Sequence, residues 1–122
     1  MPDESPDDQY KLLVLSNPVT GREEEFNAWY SDQHLGDVLS VDGFVAAQRF
    51  TMVDNAKDAA ADLKAPNWRY AAIYEIENSD PWATFAALEK KMATGEILIS
   101  GSLNLAETRL IVLKPITGVV QK

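Results

Sequence analysis

The segment Glu25-Phe26-Asn27-Ala28-Trp29-Tyr30-Ser31-Asp32-Gln33-His34 joins an acidic helix start, an aromatic pair and the chain's only histidine. At about 3.6 residues per turn, Phe26, Trp29 and Tyr30 share one helix face, and the four-residue step from Tyr30 sets His34 above the phenol. A stripe of this kind packs against a flat partner, and the flanking sequence supplies one. Upstream, Tyr10-Lys11-Leu12-Leu13-Val14-Leu15 is a nearly continuous apolar run ended by Asn17-Pro18, which reads as a central strand. Between strand and helix, Thr20-Gly21-Arg22-Glu23 has the spacing of a capping box with Thr20 as N-cap. Glu23, Glu24 and Glu25 suit the positive end of the helix dipole.

Downstream, the apolar pattern loosens at Gly36, where a bend is expected, and resumes at Val38 and Leu39. Asp42-Gly43 is a turn signal. Val45, Ala46, Ala47, Phe50 and Val53 then make a second strand from Phe44 to Val53, interrupted by Gln48 and Arg49. Residues 54–67 form a polar, alanine-dotted connection longer than a hairpin loop, with no chemistry assigned. From Trp68 to Glu77, Trp68, Tyr70, Ala72, Tyr74 and Ile76 alternate with Arg69, Ala71, Ile73 and Glu75, as a strand requires. Asp80 as N-cap and Pro81 at the first helical position open a second helix, with Trp82, Phe85, Leu88 and Met92 as its stripe and a glycine stop at Gly95. Residues 96–106 carry no clear element, and Thr108 to Leu113 is a last strand ended by Pro115.

The order is βαββαβ, an α+β class with a four-stranded antiparallel sheet. Right-handed crossovers turn that order into the split βαβ, ferredoxin-like arrangement. Two helices cover one face of such a sheet, so the other needs a cover or a polar surface, and a second copy of the chain is the expected cover. Leu110 to Leu113 is too apolar for an open edge and is expected to be covered or paired. Residues 1–9 are read as an acidic flexible arm and 10–122 as a single domain.

At 122 residues the chain is one domain by size, and a hydrophobic share of 46% fits a globular core. With no cysteine, disulfides, thiolate metal sites and cysteine nucleophiles are all excluded. A net charge of −8 repels phosphate backbones and argues against nucleic acid as a partner. No window is apolar enough for a membrane span, and no basic leader precedes an apolar run, so a cytoplasmic protein is expected.

Phe26-Asn27-x-Trp29-Tyr30-x-x-x-His34-Leu35, then Val41-x-Gly43-Phe44 and Gln48-Arg49-Phe50, resembles the EthD-like branch of the dimeric α+β barrel superfamily. The match is concentrated between Phe26 and Phe50. The resemblance implies a ferredoxin-like protomer whose sheet pairs face to face with its twin in a homodimer. Similar proteins often carry proline where this chain has Gly36 and Asp42. The superfamily spans cofactor-free monooxygenases, isomerases, cyclases, dehydratases and haem enzymes, so fold alone does not choose an activity.

Five residues stand out as site candidates. His34 titrates near neutrality and suits a proton shuttle, with a helix-end histidine bonded to backbone as the alternative. Tyr30 suits a catalytic partner and Tyr74 a substrate contact, against two core tyrosines with rim hydroxyls. Arg49 suits an anionic or enolate-like oxygen, against a structural pair with Glu75 or another acid on the sheet. Trp29 suits the wall of a substrate pocket, against a plain core or dimer contact. No metal site is expected from one histidine and no cysteine, and no cofactor motif is present. Two functions follow: a cofactor-independent enzyme acting on a small apolar oxygenated molecule, or a noncatalytic dimeric binding protein.

Overall fold

The computed structural model describes residues 9–53 and 67–122. Four strands, β1 (Gln9–Ser16), β2 (Phe44–Thr51), β3 (Tyr70–Glu77) and β4 (Arg109–Leu113), form one sheet in the order β2-β3-β1-β4. Every neighbouring pair is antiparallel. Because β3 lies between β1 and β2, and β1 between β3 and β4, each helical connection crosses a strand. This is the ferredoxin-like topology expected from the sequence. The strands are one or two residues shorter than expected at Val53, Trp68 and Thr108. Residues 1–8 of the expected arm and most of the 54–67 connection lie outside the described residues, and Gln9 is already strand.

Register decides which side chains meet. Leu12 pairs with Tyr74 and Val112, Val14 with Ala72 and Leu110, and Ala47 and Arg49 with Tyr74 and Ala72, so all of these share one face. The opposite face carries Leu13, Ile73, Gln48 and Ile111. A bulge between Phe44 and Ala46 inserts Val45 and turns Phe44 inward beside Ile76; without it, alternation would put the phenyl ring on the far face. Val45, 50% exposed, is the residue displaced.

Helical segments α1 (Glu23–Trp29), a π turn (Tyr30–His34), α2 (Leu35–Leu39) and α3 (Pro81–Ala93) all pack on the first face. Phe26, Tyr30, Val38, Phe44, Tyr74 and Leu88 belong to one buried cluster. The capping box expected at Thr20 does not form. Gly21, at φ +83°, completes a turn in which Arg22 N–H bonds the Val19 carbonyl, and this turn uses up Thr20 and leaves Arg22 as a backbone-only N-cap. Arg22 instead donates to the Glu25 carboxylate and to the Gly101 carbonyl at 2.9 Å. Asp80 does cap α3, accepting from Trp82 and Ala83 N–H at 3.1 and 3.3 Å, with Pro81 behind it.

The stripe of α3 is rotated from the expected one. Pro81, Thr84 and Leu88 are buried, while Trp82 is 62% exposed. Thr84 sets this rotation: it is wedged against Gly43 and bonded by Asn78, so the neighbouring position turns outward. The irregularity expected near Gly36 lies one turn earlier, at Tyr30–His34. After α3, the 102–104 end of the following segment pairs with the residues just after β1, through Val19 N–H to Ser102 O at 2.7 Å and Asn104 N–H to Asn17 O at 3.0 Å. Among the described residues no helix is long and apolar enough to cross a membrane.

Candidate functional site

The π turn governs the site. Leu35 N–H donates to the Tyr30 carbonyl, five residues back, where an α-helix would reach back four. Widening the turn brings residues five apart into line. The His34 imidazole therefore stacks on Trp29, ring centroids 4.5 Å apart at 26°, and meets Tyr30 edge to face at 5.0 Å and 89°. The contact between Tyr30 and His34 exists, but the stacking partner is Trp29, which α-helical spacing does not reveal.

Tyr74, projecting from β3 towards the helices, donates its hydroxyl to the Tyr30 hydroxyl at 3.2 Å. Burial pushes both phenols above their ordinary pKa; for Tyr30 the Tyr74 hydrogen bond and the Arg49 charge pull the other way. His34 is 8% exposed and its Nδ1 is buried without a partner. Burial lowers the imidazole pKa to about 4, with Asp37 opposing, so the ring is neutral at pH 7.

These three residues line one cavity of about 140 Å³, between the sheet, α3 and the 96–105 segment. Leu12, Leu88, Met92 and Leu103 belong to its apolar wall. The other polar lining residue, Thr108, bonds the Asn104 carbonyl at 2.8 Å through its hydroxyl. No charged side chain lines the cavity among the described residues. Its contents can therefore be held by one hydroxyl chain and a neutral imidazole, in surroundings that disfavour ions.

Trp29 and Arg49 are not among the lining residues. Trp29 backs the imidazole. Arg49 lies over the Tyr30 ring at 4.6 Å and donates to Ser31 Oγ at 2.8 Å and Asn27 Oδ1 at 2.9 Å. The pair with Glu75 does not form, because register puts Glu75 on the opposite face, where Lys11 takes it at 2.9 Å. Asn27 in turn donates to the Tyr70 hydroxyl, which donates to Glu23. Sequence reasoning missed this network and the 96–105 wall; Ile97, Ile99, Leu103 and Leu105, spaced through a polar stretch, were the available signal.

Among the described residues no group of three or more His, Cys, Asp or Glu side chains is placed to hold a metal ion. The volume of the cavity is close to the roughly 150 Å³ that holds one benzene molecule.

A ferredoxin-like chain with a small apolar cavity between sheet and helices is thus defined by geometry. No family model and no curated protein matches the sequence. Solved structures do. The chain is similar to an EthD-like protein from Ralstonia eutropha JMP134, with TM-score 0.60 and 15% identity over 90% of this chain and 94% of that one. It is similar to a dimeric ferredoxin-like protein of unknown function from Jannaschia sp. CCS1, with TM-score 0.56 and 11% identity over 88% and 99% of the two chains. An ethyl tert-butyl ether D family protein from Bacillus halodurans C-125 gives TM-score 0.55 and 11% identity over 88% and 99%. At these identities the likeness establishes the fold, and it is the fold that the sequence resemblance implies.

Proposed function

We propose that the protein is a homodimeric, cytoplasmic enzyme that acts without a resident cofactor on a small, apolar, oxygenated molecule, with His34 as proton shuttle. The observation that carries this reading is the convergence of His34 and the Tyr74–Tyr30 hydroxyl pair on one otherwise apolar cavity. A substrate carbonyl oxygen accepts from the Tyr30 hydroxyl while the neutral imidazole takes a proton from the adjacent carbon. The C–H electron pair moves onto the oxygen as an enolate, stabilised by Tyr30. Returning the proton to another carbon gives isomerisation, and passing it to a departing hydroxyl gives dehydration. No outside oxidant is required.

The second protomer belongs to this reading because of the sheet's open face. Leu13, Leu15, Ile73, Phe50 and Ile111 stand there, the last two 41% exposed. Burying such a face takes well over roughly 1,000 Å² in an obligate pair. The Jannaschia protein of similar fold is itself described as dimeric.

A noncatalytic binding protein is the second reading, and the imidazole pKa of about 4 favours it, since such a ring accepts protons poorly. The two separate on His34→Ala and Tyr30→Phe. Mass spectrometry of the purified protein identifies what it retains. Lost turnover of that molecule with binding kept supports the enzyme; unchanged turnover and binding in both variants refutes the assignment of the site.

A further inference from the structure

We infer that the ligand of this cavity is a neutral, single-ring molecule bearing one hydroxyl or carbonyl oxygen, a phenol or cyclic enone in size, held with its oxygen between Tyr30 and His34. This rests on the site proposed above and adds the substrate class. Three observations carry it.

Size comes first. A volume of about 140 Å³ matches a six-membered ring, since a roughly 150 Å³ apolar protein cavity holds one benzene. Charge comes second. With no ionic side chain among the described lining residues, a carboxylate or phosphate would enter unpaired and desolvated, which excludes acids and acyl carriers with phosphate handles.

Hydrogen-bond inventory comes third. Tyr30 accepts from Tyr74, and among the described residues its own O–H hydrogen finds no acceptor. A buried hydroxyl in this state calls for an acceptor from the ligand. The His34 ring lines the same cavity, and an imidazole nitrogen is the complementary group for the same oxygen's hydrogen when the ligand is a hydroxyl compound. One oxygen thus satisfies both side chains. The remaining ring meets Leu12, Leu88, Met92 and Leu103, none of which asks for a polar partner.

Isothermal titration calorimetry at pH 7 on the full chain tests this with phenol, toluene, benzoate and 1-naphthol. Phenol should bind at least tenfold more tightly than toluene, and benzoate and 1-naphthol should not bind. Tyr30→Phe should reduce the phenol preference over toluene to about twofold or less. Met92→Trp, which fills the cavity from its half-buried α3 position, should abolish phenol binding with the circular dichroism spectrum unchanged. If 1-naphthol or benzoate binds more tightly than phenol and loses that binding in Tyr30→Phe, the ligand class is wrong while the site survives. If phenol binds equally to wild type, Tyr30→Phe and Met92→Trp, or no probe binds at all, the ligand class is overturned; retained turnover in His34→Ala and Tyr30→Phe is the separate result that removes the site.

Discussion

Replacing His34 by phenylalanine keeps an aromatic ring stacked on Trp29 and edge-on to Tyr30 while removing its titration. The added volume has the adjoining cavity to enter. In the folded chain burial holds the imidazole pKa at about 4, against 6.5 for the exposed side chain of the unfolded state. Below pH 6.5 the unfolded chain therefore binds a proton that the folded chain refuses. The stability contribution is complete above the unfolded pKa and is lost as pH falls towards the folded one. The full difference is about 3 kcal/mol, at 1.36 kcal/mol per unit, and between pH 7 and pH 5 it amounts to about 2 kcal/mol. Urea melts of both proteins at those two pH values measure it. Carboxylates common to both proteins and remote from the imidazole cancel in the comparison. Wild type should lose about 2 kcal/mol more than His34→Phe on going from pH 7 to pH 5. Equal losses would show that His34 is not buried neutral, and the account of the cavity as free of charge would fall with it.

Gly43→Ala should destabilise by about 3 kcal/mol, from strain at φ +102° and a new Cβ only 2.4 Å from Thr84 Oγ1. Adding Thr84→Ala should cost less than the sum of the two single changes in urea melts, and additive effects would refute the clash. Asp80→Ala should lower stability by about 1 kcal/mol through loss of the α3 cap, and an unchanged midpoint would mean the cap is not formed in solution. Ile73→Glu, in the middle of the open face, should convert a dimer to a monomer in light scattering at micromolar concentration. A dimer that persists would place the interface elsewhere.

Much of the fold was legible because its signals are local. Asp80-Pro81 caps a helix by the geometry of two backbone N–H groups, and Asp42-Gly43 turns because Gly43 adopts positive φ. Alternation from Tyr70 to Ile76 marks β3 as a strand without telling which of its sides faces the helices. Where tertiary contacts decide, local rules fail. Thr20 has capping chemistry but is consumed by the turn at Gly21, and Trp82 reads as core until Thr84, locked to Asn78, claims the inward position. The site divides in the same way. That Tyr30 and His34 are neighbours follows from helical spacing; that Trp29 stacks on His34 depends on one extra residue in a turn, which no residue type announces. Nor does spacing bring Tyr74 to Tyr30, because that contact needs β3 packed under the π turn.

Arg49 shows how a charge can shape a cavity that contains none. Sequence reasoning gives it to a ligand or to an acid, yet its guanidinium lies against the aromatic rings of Phe26, Tyr30 and Tyr70, bonded to a serine and an asparagine. A cation over a phenol ring favours the phenolate, so Arg49 and the Tyr74 hydrogen bond both lower the Tyr30 pKa while burial raises it. For Tyr74 the balance differs: burial and the neighbouring Tyr30 push upwards, and Arg49 is the smallest influence. The Tyr74 hydroxyl donates to the Tyr30 hydroxyl, which leaves the Tyr30 hydrogen without an acceptor among the described residues. A positive charge outside the cavity lining thus acts on the hydroxyl pair within it. The interior stays neutral, because the Arg49 cation near it sits outside the lining.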